Sequence, residues 1–156
     1  NIAAAMQTII ELGDVNALAD VIDNAFPESR IEINETDGFF ELRLHQKGLL
    51  RPLRAAELSD GTLRFLLLTA ALLTLRPASL LILNEPETSL HVDLIPALAR
   101  LIVRAAEESQ VIVASHASSL IEALTDAGAQ KLALIKEFGE TRIEGVNPPK
   151  FVWPKR

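Results

Sequence analysis

Two short apolar runs, at 80–83 (Leu-Leu-Ile-Leu) and 111–114 (Val-Ile-Val-Ala), constrain this chain more than any other feature. Runs this short and this aliphatic read as buried strands, and the helical periodicity between them makes a strand–helix–strand crossover, which places the two strands parallel in one sheet. The connecting helix is expected over 94–108. Leu94, Leu98, Leu101, Ile102 and Ala105 share one face of it, opposite Arg100, Arg104 and Glu107, so the helix covers the sheet. A helix over 118–127 and a strand over 131–136 continue the alternation. The first run ends in Asn84-Glu85 and the second in Ser115-His116, at the carboxyl ends of parallel strands, where open α/β sheets bind their ligands.

Upstream the period changes. Between 2 and 26, Ile2, Met6, Ile9 and Ile10, then Val15, Leu18, Ala19 and Ile22, recur at helical spacing. Gly13-Asp14 stops one helix and caps the next, and Pro27 ends the pair. Ile31 and Ile33, then Phe40, Leu42 and Leu44, alternate with polar residues around Asp37-Gly38, the pattern of an antiparallel hairpin with one wet face, on which His45 lies. Residues 62–75 are apolar on nearly every side, as in a helix buried all round, and Arg76-Pro77 ends it. Gly139-Glu140 suggests a final hairpin, and Pro148-Pro149 an extended tail. With 156 residues, 49% of them hydrophobic, one domain with a core is expected. Its segments are a helical 1–27, a β-ribbon 28–57, a core 58–137, and a hairpin and tail 138–156. Asn at position 1 and a single methionine, Met6, read as a piece of something longer, and 151–156 as a natural terminus.

The formal net charge of −6 gives no support to DNA binding over the whole surface, which relies on clustered Lys and Arg. No apolar run reaches the roughly 20 residues needed to span a bilayer. There is no cysteine, hence no disulfide or thiolate metal site, and no basic leader. A cytoplasmic protein is expected.

Three stretches can carry chemistry. A carboxylate at the end of a buried parallel strand, such as Glu85, can orient and deprotonate a water for phosphoanhydride hydrolysis, whereas Glu87 reads as a solvated turn residue. At 58–62 (Leu-Ser-Asp-Gly-Thr) a hydroxyl, a glycine and the free N–H groups of a helix start make an anion site, and equally an ordinary N-cap with a turn. His116 alone reads as a capping or solvated histidine.

Taken in order, 58–62, 80–87 (Leu-Leu-Ile-Leu-Asn-Glu-Pro-Glu) and Ser115-His116 resemble the signature motif, Walker B strand and switch histidine of an ABC-type ATPase of the RecF/SMC-like branch. The sequence of 88–93 (Thr-Ser-Leu-His-Val-Asp) stands where that family has its D-loop, with His91 at a position that can lie on a dimer interface. Asp93 reads as the cap of the following helix. The resemblance covers about 37–136 and implies a P-loop NTPase-type α/β fold, the carboxyl-terminal lobe of an ABC ATPase, with parallel core strands, flanking helices and an antiparallel ribbon before the signature helix.

It also implies roles. Glu85 would be the catalytic base and His116 would sit at the γ-phosphate. Asn84 would lie near Mg2+, where the family usually has Asp and where related RecF-like proteins also carry Asn. Ser59, Gly61 and Thr62 would bind ATP, with Ser59 and Gly61 acting across the interface of an ATP-bound dimer. One part is missing: no G-x-x-x-x-G-K-[ST] sequence occurs, so the phosphate-gripping Walker A lobe would lie upstream, and this chain alone would be inactive. A noncatalytic interaction module keeping the same architecture is the alternative. An OLD-type nuclease would need an acidic metal-binding domain that this chain lacks.

Overall fold

The computed structural model describes residues 2–137 and 139–145. The expected tail at 148–149 and the terminus at 151–156 lie outside them. Helices α1 (Ile2–Leu12) and α2 (Val15–Ala25) meet at Gly13, and Asp14 caps α2 by accepting from the Ala17 N–H at 2.9 Å. The same Asp14 carboxylate pairs with Arg104 at 2.7 Å, tying this corner to a helix far along the chain. On the inward faces, Ala3, Met6 and Ile9 of α1 and Ala17, Leu18 and Ile22 of α2 are buried. Val15 and Ala19, expected on that face, are exposed, because Asp14 sets α2 with Leu18 and Ile22 inward.

Strands β1 (Arg30–Thr36) and β2 (Phe39–His45) form the expected antiparallel ribbon. Asp37 (φ +53°) and Gly38 (φ +78°) make its turn, both in the left-handed region that this tight hairpin demands. Leu42 and Leu44 are buried against α1, α2 and the next helix. On the wet face His45 pairs with Glu32. A two-residue third strand, β3 (Leu53–Arg54), and a 3-10 turn (Ala55–Glu57) follow. Both are too short for any periodicity to announce. There the Glu57 carboxylate accepts two hydrogen bonds from the Arg51 guanidinium, at 2.9 and 2.7 Å, and one from the Arg54 N–H at 3.0 Å. The Arg51 bonds, then that backbone bond, lower its pKa to about 2. The contribution of these bonds to stability is therefore complete above the ordinary carboxylate range and is lost progressively as pH falls from there through about 2.

Helix α3 (Asp60–Leu72) is shared by two hydrophobic cores. Its Leu66 and Ala70 join α1, α2 and the ribbon, while Phe65 and Leu72 join the core beneath the parallel strands. Phe26 meets Phe65 edge to face at 5.7 Å. The helix is not buried all round: Leu67 is 57% exposed, and the helix ends at Leu72, before the expected Arg76-Pro77 stop.

Strands β4 (Leu80–Asn84) and β5 (Gln110–Ala114) pair in parallel, Leu80 opposite Gln110 through Asn84 opposite Ala114. Between them lies α4 (Ile95–Ala105), whose Leu98, Leu101, Ile102 and Ala105 are buried. Helix α5 (Ser118–Asp126) follows β5. Leu81, Leu83, Val111 and Val113 pack on α4 and α5, but the opposite face is open, with Ile82 67% and Ile112 48% exposed. The strands are thus covered on one side, not two. The strand expected at 131–136 is β6 (Leu134–Glu137). It leaves the parallel sheet and pairs antiparallel with β7 (Glu140–Ile143). Gly139 at φ +85° closes that hairpin locally, which needs no crossover. Among the described residues no helix is long and apolar enough to cross a membrane.

Candidate functional site

Where β4 ends, the chain turns sharply at Glu85, whose φ of +45° is unusual for a residue with a Cβ. Three backbone bonds hold it there. Its N–H donates to the Ala114 carbonyl at 2.7 Å, extending the β4–β5 ladder by one rung, and its carbonyl accepts from the Thr88 N–H at 3.1 Å. That carbonyl also accepts from the Arg64 guanidinium of α3 at 3.1 Å. The turn aims the side chain at the neighbouring strand's exit: a Glu85 carboxylate oxygen lies 3.3 Å from Nδ1 of His116. Glu85 and His116 therefore meet, although 31 residues separate them in the sequence. Both face solvent, with side chains 48% and 79% exposed respectively. The Thr88 hydroxyl stands 3.5 Å from the other Glu85 oxygen. Asn84 is exposed beside the pair.

Ser59, Gly61 and Thr62 form a second group. Ser59 is the N-cap of α3. Its Oγ accepts from the Thr62 N–H at 3.2 Å and lies 2.9 Å from the Thr62 hydroxyl. The N-cap reading of this stretch is thus correct, and among the described residues the Asp60 and Gly61 N–H groups, at the start of a 13-residue helix, have no acceptor. The cap is compatible with an anion at this helix start. A cleft of about 640 Å³ lies between this helix start and Ser89, Leu90 and His91. No hydrogen bond or ion pair among the described residues joins Ser59, Gly61 or Thr62 to Asn84, Glu85 or His116.

The glycine at 61 is required by the protein itself: a Cβ there would stand 2.6 Å from the Ser89 carbonyl oxygen. Ser89 is in turn fixed at φ +67°, so neither side yields cheaply. Alanine is the better helix former by roughly 1 kcal/mol, but an enforced backbone clash costs about 1–3 kcal/mol, and the clash should win. Gly61→Ala is expected to lower the denaturation midpoint in chemical unfolding without changing its slope. An equal or raised midpoint would show that the 88–91 loop moves freely.

Two readings of single residues are corrected. Asp93 does not cap α4; it lies within a 3-10 turn (Val92–Leu94) capped by His91, whose Nδ1 accepts from the Asp93 N–H at 3.4 Å. The turn inserts before the helix because Pro96 sits in its first turn, where proline is tolerated. Glu87 is not a solvated turn residue: it is 9% exposed, and one carboxylate oxygen accepts from the Ser115 hydroxyl. The turn at Glu85 folds 87 back under the strand ends.

Arg64, Glu87 and Ser115 are thus the participants that sequence reasoning missed. Arg64 was visible as the one charge within the apolar stretch 62–75. Glu87 and Ser115 stood inside the stretches singled out, but nothing in the pattern marked a bond between them. Among the described residues no cluster of three or more His, Cys, Asp or Glu could hold a metal ion. What the strand ends offer is one amide, one carboxylate and one hydroxyl, from Asn84, Glu85 and Thr88. That suits a hard cation retaining most of its waters and bound chiefly to phosphate oxygens, as Mg2+ is in nucleotide sites.

A family profile described as "AAA domain, putative AbiEii toxin, Type IV TA system" matches residues 8–122. No curated protein is detectably similar in sequence. Among solved structures, one from work on ATP-driven dimerisation and DNA-stimulated activation of SMC ATPases superposes with a TM-score of 0.66 at 14% identity, covering 94% of this chain and 90% of that one. The SMC head domain from Thermotoga maritima gives 0.63 at 18% identity, over 94% of this chain and 52% of its own. An Smc head domain with an extended coiled coil, bound to the C-terminal domain of ScpA and derived from Pyrococcus furiosus, gives 0.66 at 16% identity, over 82% and 33%. The fold is that of an SMC-type P-loop NTPase head, and this chain spans about half or less of the two head-domain chains.

Proposed function

The chain belongs to that AAA-domain family, and from this membership we propose that it is the carboxyl-terminal lobe of a dimeric RecF/SMC-like ABC ATPase. In this reading it contributes signature, Walker B and switch-histidine functions to a phosphate loop carried elsewhere. The observation that carries the reading is the 3.3 Å approach of Glu85 to His116 at the exits of two paired parallel strands. A carboxylate and an imidazole so placed can share one water: Glu85 accepts its proton, and His116 orients it and donates to the phosphoryl group under attack.

The signature group acts elsewhere. Ser59, Gly61 and Thr62 make no described bond to Glu85 or His116, and their helix start faces an open cleft. That arrangement supports a site completed in trans, in which the open N–H groups of α3 cover the nucleotide of a second copy. His91, 74% exposed on the same cleft, would lie at that interface. Bound Mg2+ would supply charge neutralisation on the nucleotide's phosphates. Asn84 would hold one of its waters through the amide oxygen, without adding negative charge.

The uncovered face of β4 and β5, with Leu80, Ile82 and Ile112 exposed, suits a packed lobe bearing the phosphate loop. In this proposal the motifs lie within 58–137, while α1, α2 and the ribbon pack on the other side of α3, and the last segment starts at 138. A cytoplasmic location accords with this function. The net charge of −6 lends no weight to DNA as a ligand. One feature favours a noncatalytic interaction module instead, the amide of Asn84 where an acidic residue would bind metal more strongly.

Calorimetry with Mg-ATP tests the division of labour. The chain of 156 residues alone should give little heat, because it holds only the covering half of the phosphate site, whereas the full-length protein should bind. Submicromolar affinity in the isolated chain, more than about 8 kcal/mol, would show that the main phosphate anchor lies within it.

A further inference from the structure

The geometry points to Glu87 as a positioning residue that fixes His116 against Glu85 by holding Ser115; this rests on the hydrolytic roles proposed above for Glu85 and His116. Residues 85–87 and 114–117 touch at three places. The Glu85 N–H reaches the Ala114 carbonyl at 2.7 Å, the Glu87 carboxylate accepts from the Ser115 hydroxyl, and the His116 ring meets Glu85 at 3.3 Å. Only the last of these would do chemistry, and it is the one least able to hold itself. Its two side chains are 48% and 79% exposed, and a pair so wet contributes little to its own geometry.

The Glu87–Ser115 bond is different in kind. Glu87 is 9% exposed, and a charge-assisted bond out of water is strong and directional. Ser115 passes the constraint on: its Oγ also accepts from the Ala117 N–H at 3.1 Å. The hydroxyl thus pins the backbone on both sides of His116, and Glu87 pins the hydroxyl. Stability alone is a poor reason for this carboxylate. Its second oxygen is buried without a hydrogen-bond partner, which disfavours folding, and local violations of this sort collect where geometry serves function.

The test uses the full-length protein with Ser115→Ala, Glu87→Ala, the double variant, and two variants that keep the bond, Ser115→Thr and Glu87→Gln. Both alanine variants should lower kcat for ATP hydrolysis by about 10- to 100-fold, the loss expected from misplacing a reacting group by an ångström or less. KM should stay within about twofold. The double variant should be no worse than either single one, since the two act through one bond, and the bond-keeping pair should retain most activity. Multiplicative losses would overturn the proposal, as would a raised KM at unchanged kcat. If Glu87→Ala does not fold, the Ser115→Ala and Ser115→Thr comparison decides. Hydrogen exchange at the Ala117 amide reads the tie without turnover: it should quicken in Ser115→Ala and Glu87→Ala, and unchanged exchange in Glu87→Ala overturns the tie. Full turnover in Glu85→Gln would instead remove the hydrolytic reading itself, a separate failure that the amide exchange distinguishes.

Discussion

Glu85→Gln in the full-length protein is expected to lower kcat for ATP hydrolysis by about 10²–10⁴-fold, the range that a positioned proton acceptor contributes, while nucleotide still binds. Glutamine has the same shape and keeps a carbonyl oxygen, so the water can still be approached but its proton has nowhere to go. The backbone at φ +45° is equally open to either residue, its bonds to the Ala114 carbonyl, the Thr88 N–H and the Arg64 guanidinium use only main-chain atoms of residue 85, and glutamine keeps an acceptor for the Thr88 hydroxyl. Because the side chain is about half exposed, its replacement should shift stability by no more than about 0.5 kcal/mol. Phosphate release at saturating Mg-ATP, with affinity measured separately, checks both halves. Unchanged turnover, or none in either version, would leave the interaction-module reading in possession of the fold.

How much of this was legible in the sequence differs from residue to residue. The parallel pairing of β4 and β5 was legible because two aliphatic runs flanking a helical stretch admit few arrangements. The ribbon was legible because period two survives when one face is wet. The open face at Ile82 and Ile112 was not. An aliphatic strand with one open face has the same composition as one covered on both, so sequence cannot tell the two apart. Glu87 was misread because glutamate after a proline is usually solvated, and its burial depends on a hydroxyl 28 residues away. The hairpin β6–β7 shows competition between local and distant pairing, in which the glycine at 139 let the nearer partner win. Glu85 and His116 were legible as strand-end residues. Their contact is a product of the positive φ at residue 85, a backbone fact that no side-chain pattern records.

Ser59→Arg should abolish ATP turnover without unfolding the protein, and should do so across a dimer interface. Ser59 caps α3 through Thr62, so its loss costs about 0.5–2 kcal/mol, a modest part of the roughly 5–15 kcal/mol that holds a domain together. The packing of Phe65, Leu66 and Leu72 begins more than a turn further along. An arginine at the helix start, however, fills the cleft that another copy's nucleotide would enter and obstructs closure. The test mixes two inactive full-length proteins, one carrying Ser59→Arg and the other lacking the lysine of the phosphate loop proposed to lie outside this chain. In a mixed twofold dimer one composite site carries both lesions and the other neither. At equal mixing half the dimers are mixed, so roughly a quarter of normal turnover should return, provided one site can fire alone. A tethered dimer in which only one half lacks that lysine, and both keep Ser59, has one intact site on either reading and checks that proviso. If the tethered dimer turns over while the mixture stays silent, Ser59 serves the nucleotide of its own protomer, and the signature helix and the Glu85–His116 pair belong to one site rather than to two facing ones.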